Sequence, residues 1–352
     1  MNYETLKNIL FKFDPETAHE LASIGIRAVG CAPFIRQKIK ENFSYTDERL
    51  SQNLLGMHFA NPIGLGGGFD KNATMINGLG AFGFGFVEVG TITPVPQLGN
   101  KKPRLFRLIE ERSLQNAMGF NNDGVEKIRR RLKSTFPNEL PIIANIGKNK
   151  VTANEYALKD YEFLVKRLTD FCNAFTINIS SPNTPNLRDL QSEKFVKELV
   201  KTLKNYTDKP LILKIAPDME ASAAVSLCQS AANAGISAII INNTSIDYTL
   251  SANAKTFGGI SGALIKEKSR ALFEAVAKEL FGKVTLISCG GIDSAEEALE
   301  RIKMGASLVE IYTAFIYEGP SLCKNLNLAL SRLLDQGGFA SITDAIGANL
   351  RK

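Results

Sequence analysis

The sequence predicts an α/β protein built on a closed (β/α)8 TIM barrel. From residue 61 onward, eight short runs rich in Val, Ile and Leu alternate with helical stretches. Runs of this kind are typical of parallel strands that are buried on both faces, and eight of them are the number that a barrel needs. The length of 352 residues also fits one barrel of about 250 residues with an appendage. A doubly wound open sheet is the alternative, but it does not normally need eight units.

Strands and helices are predicted in strict alternation. The predicted strands are 63–65, 86–89, 142–145, 175–179, 211–215, 238–241, 284–288 and 308–311. The predicted helices are about 72–81, 122–135, 154–170, 191–204, 220–234, 264–280, 294–304 and 319–335. Residues 336–352 are predicted to be a tail or a final helix.

Composition and charge indicate a globular protein and argue against a nucleic-acid-binding tail and a metal site. The chain is 44% apolar and 22% charged, as expected of a globular protein with a substantial core, and its formal net charge is +6. This mild excess fits anionic ligands or an anionic membrane surface, and no run of five like charges indicates a nucleic-acid tail. The five cysteines are scattered and odd in number, which indicates reduced thiols in a cytoplasmic compartment. With only His19 and His58 as histidines, we predict no metal site and a proton-transfer base other than histidine.

The N-terminus is predicted to be an amphipathic helical extension, residues 1–40, attached to a barrel domain of residues 41–352. Leucine, isoleucine and phenylalanine alternate there with lysine and arginine. Asp14, Pro15 and Glu16 provide an N-cap, a proline at the first helical position and an acidic first turn, so a second helix is expected to begin there. No apolar stretch is long enough to span a bilayer. The extension either docks on the barrel or lies in a membrane interface.

Polar residues follow almost every predicted strand, at the end of a barrel where active sites lie. Glycines at 66–68, 258–262 and 290–291, together with Tyr312 and Thr313, are suited to surround a phosphate. Thr91, Asn145, Asn178 and Lys214 would face a heteroaromatic ring. The glycine spacing differs from that of a dinucleotide fingerprint, so flavin mononucleotide (FMN) is the predicted cofactor.

A rigid polar loop follows the fourth strand. Residues 178–188 read Asn-Ile-Ser-Ser-Pro-Asn-Thr-Pro-Asn-Leu-Arg, and its two prolines disfavour a helix. We take this segment as the catalytic loop. The asparagines at 72, 116, 183 and 243 suit a small cyclic diamide, and Lys71 would offset a carboxylate on it.

Eight segments together closely resemble the dihydroorotate dehydrogenase family over about residues 3–320. They are Gly-Gly-Gly-Phe-Asp-Lys (66–71), Val-Glu-Val-Gly-Thr-Ile-Thr-Pro (87–94), Lys-Pro-Arg-Leu-Phe-Arg (102–107), Asn-Ala-Met-Gly-Phe-Asn-Asn (116–122), Asn-Ile-Gly-Lys-Asn-Lys (145–150), Asn-Ile-Ser-Ser-Pro-Asn-Thr-Pro (178–185), Lys-Ile-Ala-Pro-Asp (214–218) and Gly-Gly-Ile-Asp-Ser (290–294). The likeness is to the quinone-dependent, membrane-associated class (class 2). Ser181 stands where the soluble class carries a cysteine, and the extension with Asp-Pro-Glu-Thr-Ala-His-Glu (14–20) is absent from that class.

The resemblance implies a role for each matching position. It implies flavin contacts for Gly67, Gly68, Thr91, Asn145, Asn178, Lys214, Thr244, Gly262, Gly291, Tyr312 and Thr313. It implies dihydroorotate contacts for Lys71, Asn116, Ala117, Met118, Gly119, Phe120, Asn178, Asn183, Asn243 and Thr244. It implies a quinone tunnel near His19, Arg104 and Tyr312. Gly67 stands where relatives have alanine, and we expect that difference to matter little.

The resemblance also implies a reaction and a place for it. Ser181 would take a proton from C5 of dihydroorotate, through a water relay by Thr184 and Phe120, while C6 gives hydride to flavin N5. A respiratory quinone would be the final acceptor in pyrimidine (UMP) biosynthesis, with the enzyme held peripherally on the cytoplasmic face of a bacterial cell membrane through the N-terminal helices. The alternatives are a soluble fumarate- or NAD-linked dihydroorotate dehydrogenase and a non-catalytic barrel that binds a phosphorylated ligand.

Overall fold

The computed structural model of the chain describes residues 3–351. The α-helices are α1 (Tyr3–Leu10), α2 (Pro15–Cys31), α3 (Pro33–Phe43), α4 (Ile76–Gly80), α5 (Val125–Thr135), α6 (Ala157–Leu168), α7 (Glu193–Leu203), α8 (Ala221–Asn233), α9 (Lys266–Leu280), α10 (Ala295–Lys303), α11 (Thr313–Glu318), α12 (Leu322–Gly337) and α13 (Ile342–Ala345). The strands are β1 (Gln52–Leu54), β2 (Met57–Phe59), β3 (Ile63–Asp70), β4 (Phe86–Ile92), β5 (Leu105–Leu108), β6 (Ser113–Asn116), β7 (Ile142–Ile146), β8 (Ala174–Asn178), β9 (Leu211–Ile215), β10 (Ala238–Ile241), β11 (Gly259–Gly262), β12 (Thr285–Cys289) and β13 (Leu308–Ile311).

Eight parallel strands close into a barrel in the order β10-β12-β13-β3-β4-β7-β8-β9. This confirms the predicted fold class and all eight predicted strands. The largest difference lies in β3 and β4, which continue to Asp70 and Ile92 after an irregularity in their pairing. Glycines interrupt the apolar runs there, so the pattern alone ended these two strands too early.

The N-terminal end of the barrel is filled by side chains. Phe59 from the β1–β2 hairpin packs edge-on against Phe86 of β4, with ring centroids 5.6 Å apart, and Ile143, Ile212 and Ile240 belong to the same buried cluster. The hairpin was not predicted, because each of its strands has only three residues. With this end plugged, the interior is open to a ligand only at the carboxyl ends of the strands.

The N-terminal extension contains three helices, and the predicted boundary after residue 40 falls within the last of them, which ends at Phe43. Helix α2 begins at Pro15 as predicted, and the Asp14 carboxylate accepts hydrogen bonds from the N–H groups of Glu16 (3.0 Å) and Thr17 (3.2 Å). Helix α2 lies against α4 so closely that a Cβ on Gly78 would be 2.1 Å from the carbonyl oxygen of Ile26. The extension is therefore docked on the barrel.

A second sheet, in the order β11-β6-β5, is antiparallel and lies outside the barrel. Its short strands escaped prediction because they carry polar residues such as Gln115 and Ser261. From β5, the Arg107 guanidinium donates to the carbonyl oxygens of Phe11 (3.3 Å) and Phe13 (2.9 Å). This sheet therefore joins the barrel to the loop between α1 and α2.

The C-terminal part differs from the prediction in one further respect. The predicted helix 319–335 is preceded by a separate short helix, α11, and corresponds to α12. The last residues contain α13, whose Ile342 and Ala345 are buried, and the N–H of Gly347 donates to the carbonyl oxygen of Ile302. This segment is packed on the barrel as a final helix.

Candidate active site

A cavity of about 700 Å³ lies at the carboxyl ends of the barrel strands and continues to helices α1 and α2. Most of the predicted site residues line it. They are His19, Gly67, Gly68, Lys71, Thr91, Asn116, Met118, Gly119, Phe120, Asn145, Asn178, Ser181, Asn183, Lys214, Asn243, Thr244, Gly262, Gly291, Tyr312 and Thr313. Ala117 and Arg104 are buried next to the cavity but do not form part of its wall.

The barrel end of the cavity has a charged floor. The Lys214 ammonium donates to Glu88 Oε2 (2.8 Å) and to Glu310 Oε2 (2.9 Å), and all three side chains are buried. Burial opposes ionisation of Glu88, but Lys214 outweighs it and holds the pKa of Glu88 below its ordinary value. Burial and the charge of Glu88 raise the pKa of Glu310 to about 7. The two carboxylates in turn keep the pKa of Lys214 well above its ordinary value, so the lysine stays charged despite its burial.

Sequence reasoning found Lys214 but missed both of its carboxylate partners. Glu88 and Glu310 lie within apolar strands. The apolar pattern of such a strand predicts that its side chains are buried, but it does not predict a charged partner for them. The available signal was that a charged residue within a strand buried on both faces needs an opposite charge nearby. Glu88 and Glu310 are two such acidic residues within predicted strands, and Lys214 is a lysine in the same position.

Amide and hydroxyl side chains above this floor form one hydrogen-bonded network. Thr91 Oγ1 donates to Asn145 Oδ1 (2.6 Å), Asn145 Nδ2 donates to Glu88 Oε1 (2.9 Å), and Asn178 Nδ2 donates to Thr91 Oγ1 (3.0 Å). The N–H of Gly67 donates to Glu88 Oε2 at 2.5 Å. The network fixes the orientation of the polar groups that were predicted to face a ring system.

Gly67 is more constrained than we expected from the sequence. A Cβ at this position would lie 2.7 Å from Glu88 Oε2 and 2.8 Å from Asn145 Nδ2. Both distances are shorter than ordinary van der Waals contact, so an alanine would have to displace part of the polar network. The expectation that alanine matters little here is therefore not supported for this chain.

Glycines with unusual backbone conformations line part of the polar chamber. Gly262, Gly290 and Gly291 have φ angles of 99°, 106° and 74°, which side chains rarely adopt. A Cβ on Gly291 would lie 2.4 Å from the Cα of Lys266. Gly258 and Gly259 do not reach the cavity wall. Two of the three predicted glycine segments therefore line this part of the cavity together with Thr313.

The predicted catalytic loop is buried and held at several points. Ser181 is 6% exposed, and its Oγ accepts a hydrogen bond from the N–H of Asn183 (3.2 Å). Arg188 holds the loop by donating to the carbonyl oxygens of Ser180 (2.9 Å) and Thr244 (2.7 Å). It also forms a 2.9 Å ion pair with Asp218. The anchoring role of Arg188 was not predicted, because its partners are distant in sequence.

The proton relay from Ser181 through Thr184 and Phe120 stays a prediction. Thr184 Oγ1 is buried and has no hydrogen-bond partner among the described residues. Phe120 lines the same cavity and has a φ of 54°, in the left-handed region. Among residues 3–351, no imidazole or carboxylate hydrogen-bonds to Ser181. Among the described residues, Ser181 Oγ therefore has a backbone N–H as its hydrogen-bond partner.

The substrate side of the chamber is rich in amides and contains one lysine. Asn183 Nδ2 donates to Asn116 Oδ1 (2.9 Å), and Asn243 Nδ2 donates to Ser180 Oγ (2.9 Å). Burial lowers the pKa of Lys71 to about 8. The arrangement offers donors, acceptors and a cation to a small cyclic anion.

Two buried polar atoms on the cavity wall lack a hydrogen-bond partner that a flavin could supply. Thr244 Oγ1 and Glu310 Oε1 are both buried without a hydrogen-bond partner in the described structure, and both residues line the cavity. Unpaired buried polar atoms are rare in folded proteins, and they mark places where a ligand can supply the missing bond. With the glycine-lined part for a phosphate, the residues present fit the cofactor that the sequence predicted.

Beyond this polar chamber the cavity becomes apolar. Its outer wall is formed by Leu10, Leu21, Ile26 and Val29 of the N-terminal helices and by other apolar residues. His19 stands at the junction, edge-on to Phe69 with ring centroids 5.0 Å apart. Burial lowers the pKa of His19 to about 3, so its imidazole is neutral.

A family profile described as Dihydroorotate dehydrogenase matches residues 49–334 of the chain. The chain belongs to the dihydroorotate dehydrogenase family. It is 56% identical over 351 residues to the dihydroorotate dehydrogenase (quinone) of a Nitratiruptor species, with all of both chains covered. It is 49% identical to the protein of the same name from Helicobacter acinonychis, again over the full length of both chains. These identities confirm the predicted quinone-dependent class.

Solved structures of the family agree with the fold. The crystal structure of the Eimeria tenella dihydroorotate dehydrogenase with ferulenol superposes with a TM-score of 0.86 at 34% identity and covers 96% of each chain. The ligand-free structure of that enzyme gives a TM-score of 0.87 and covers 96% of this chain. At this coverage, the match includes most of the N-terminal extension as well as the barrel.

Arg104, which the family resemblance places near a quinone tunnel, is held by an ion pair with helix α2, and its part in a tunnel stays a prediction. Its guanidinium donates to Glu16 Oε2 (3.2 Å) and Oε1 (2.7 Å), and both side chains are buried. It also donates to the carbonyl oxygens of Leu98 (2.5 Å) and Asn100 (2.8 Å). Arg104 therefore fastens helix α2 to the segment before β5, whereas Arg107 and Arg112 reach the cavity wall.

Proposed function

We propose that this member of the dihydroorotate dehydrogenase family oxidises dihydroorotate to orotate with bound FMN, and passes the electrons to a membrane quinone. The observation that carries the proposal is a single cavity with two chemically different halves. One half is lined by amides, glycines and Lys214, and the other by the apolar faces of α1 and α2. A flavin at the junction would be accessible to a polar substrate on one side and an apolar one on the other.

The residues that would hold FMN belong to the polar half. Thr91, Asn145, Asn178 and Lys214 offer hydrogen bonds to the ring system, and Gly262, Gly291 and Thr313 surround the part suited to a phosphate. When bound, the flavin supplies the acceptor for the hydride that C6 of dihydroorotate loses. Because the N–H and amide groups are fixed by their network, little reorganisation is needed when the cofactor binds.

Ser181 is the proposed base that takes the proton from C5. A serine is a poor base in water, so its proton must leave through neighbouring groups as it acts. Thr184 supplies a buried hydroxyl without a partner, and Arg188 holds the loop in place. Lys71 would pair with the substrate carboxylate, and the amides of Asn116, Asn183 and Asn243 would bind the ring. Positioning of this kind provides a large part of enzymatic rate acceleration.

Quinone access is proposed to run between the N-terminal helices, with peripheral binding to the cytoplasmic face of the membrane. Seven of the sixteen exposed large apolar residues among the described residues lie on or between α1 and α3, and Ile24 (61% exposed) and Phe34 (70%) are the most exposed of these seven. Exposed basic residues such as Lys12 and Arg27 accompany them. An apolar face rimmed by cations is typical of helices that lie in an anionic membrane interface. Among residues 3–351, no helix combines the length and the apolar character needed to cross a bilayer.

The decisive experiment is anaerobic addition of dihydroorotate to the purified yellow protein. Bleaching of the flavin absorbance, followed by its return on addition of a quinone, tests cofactor, substrate and acceptor together. Absence of bleaching would support a non-catalytic phosphate-binding barrel. Return of colour with fumarate or NAD but not with quinone would support the soluble type of enzyme.

A variant lacking the extension separates the two half-reactions. Deletion of residues 1–43 removes α1 to α3 and leaves the polar chamber on the barrel. We expect this variant to be bleached by dihydroorotate but to lose quinone turnover and binding to vesicles that contain anionic lipid. Undiminished quinone activity in the truncated protein would refute the proposed route.

A further inference from the structure

A buried carboxylate on the cavity wall has one oxygen without a partner. Glu310 lies on β13, is 1% exposed and lines the cavity. Its Oε2 accepts the hydrogen bond from Lys214, but its Oε1 has no hydrogen-bond partner among the described residues. Leaving such an atom buried and unpaired costs free energy, so it is suited to bond with whatever fills the cavity.

The groups that face Glu310 come from four other strands of the barrel, of which β3 and β12 are paired with β13. They are Glu88 of β4, Lys214 of β9 and the Cys289 thiol of β12, whereas β3 contributes Gly66, which has no side chain. Burial raises the pKa of Cys289 to about 12, so the thiol is uncharged at neutral pH. One cation therefore lies between two carboxylates. The floor is neutral when one carboxylate is protonated and carries one negative charge when both are ionised.

The hydrogen bonds decide which of the two carboxylates takes the proton. Glu88 accepts from Gly67, Asn145 and Lys214, so both of its oxygens are occupied by donors that stabilise the ionised form. Glu310 accepts a hydrogen bond from Lys214, and its other neighbouring donor is the Cys289 thiol, which is a weak one. Burial and the neighbouring charge raise the pKa of Glu310 to about 7, in the same direction as this geometric argument. The proton therefore belongs on Glu310.

We propose that Glu310 is a cofactor-contacting residue that presents its free, protonatable oxygen to the flavin ring and sets the charge of the floor against which the flavin is reduced. This inference rests on the proposed binding of FMN. A hydride carries two electrons and one proton, so the ring gains one negative charge unless a second proton follows. Protonated Glu310 leaves the floor neutral, whereas ionised Glu310 adds a negative charge beside the ring. Reduction is then disfavoured as Glu310 loses its proton.

The test compares the flavin-loaded wild type with Glu310→Gln, which keeps the shape of the side chain and cannot ionise. The ratio of reduced to oxidised flavin is measured against a reference dye from about pH 5.5 to about pH 8.5. The pH dependence of free FMN is first subtracted. We then expect the wild-type ratio to fall by about tenfold through neutral pH, which is the change expected if reduction of the flavin shifts the pKa of Glu310 by about one unit. The Gln variant should show no such fall.

Asp293→Asn is the matched control, because Asp293 also lines the cavity but pairs with Lys266 at 2.7 Å, next to Gly291. It removes one negative charge without touching the floor and should keep the wild-type profile. A fall in Glu310→Gln equal to that of the wild type would overturn the proposal.

A second measurement does not depend on the flavin or on the variant. Infrared difference spectra of the flavin-free wild-type protein between about pH 6 and about pH 8 should contain the C=O stretch of a buried carboxylic acid that ionises in this range. Absence of that band would also overturn the proposal. Failure of the proposed function is distinguishable, because it would appear as a protein that binds no FMN or is not bleached by dihydroorotate. Intact bleaching with unchanged pH profiles would refute the role of Glu310 alone.

Discussion

Removal of the Glu16 carboxylate is expected to loosen helix α2 from the barrel. In Glu16→Ala, the Arg104 guanidinium loses both of its carboxylate contacts while it remains buried. Breaking a buried ion pair from one side costs about 3–5 kcal/mol. Arg104 keeps two carbonyl acceptors, at Leu98 and Asn100, so we expect the lower end, about 3 kcal/mol. That corresponds to a roughly 150-fold larger population in which α2 is detached.

Hydrogen exchange of peptides that cover α2 measures this population directly. The amides of α2 should exchange roughly 150-fold faster in Glu16→Ala at neutral pH, whereas those of the barrel strands should keep their wild-type protection. Flavin reduction by dihydroorotate should change little, and quinone turnover should fall. Lys102→Ala is the control, because Lys102 is an exposed outer partner of Glu16 at 3.4 Å. Exposed pairs of this kind contribute about 0–1 kcal/mol.

The difference in α2 amide exchange between wild type and Glu16→Ala should become smaller at low pH. Burial opposes ionisation of Glu16, but Arg104 and Lys102 outweigh it and hold the pKa of Glu16 below its ordinary value. A carboxyl group with a lowered folded-state pKa stabilises the protein above its unfolded pKa, of about 4.3, and this contribution is lost as the pH falls through the folded value. The gap between wild type and variant should therefore close below about pH 4. Equal exchange of α2 in the two proteins at neutral pH would refute this explanation.

Three further predictions concern the loop, the helix contact and the charged floor. Ser181→Ala should slow single-turnover flavin reduction by about 10²–10⁴-fold while orotate affinity changes little, and a near-wild-type rate would exclude Ser181 as the base. Gly78→Ala should lower the free energy of unfolding by about 1–3 kcal/mol through its clash with Ile26, whereas Gly25→Ala, which meets no atom within 4 Å, should not. Lys214→Met should destabilise the flavin-free protein in urea by about 3–5 kcal/mol, and combining it with Glu88→Gln and Glu310→Gln should restore most of that loss; no recovery would show that charge is not the cause.

Several features of the molecule followed from local sequence alone. The eight barrel strands and the start of α2 at Pro15 were predicted from apolar runs and from capping residues, which act over a few positions. The position of the candidate site followed too, because parallel strands bring their carboxyl ends to the same edge. Residue chemistry suggested that Lys71 and the asparagines bind a small cyclic anion, and the family resemblance supplied the expected role of Ser181 as the base.

Other features depended on residues that only the closed barrel brings together. Lys214 is 126 positions from Glu88 and 96 from Glu310 along the chain, and Arg104 is 88 positions from Glu16. Hydrophobic periodicity reports which face of a strand is buried, but not which buried charges become neighbours across the barrel. Strand register and helix docking decide that. The sequence alone therefore determined the barrel, the position of its site and the family's chemistry. The charged floor under the predicted flavin and the ion pair that holds the extension depended on the tertiary structure, because electrostatic pairing acts through space rather than along the chain.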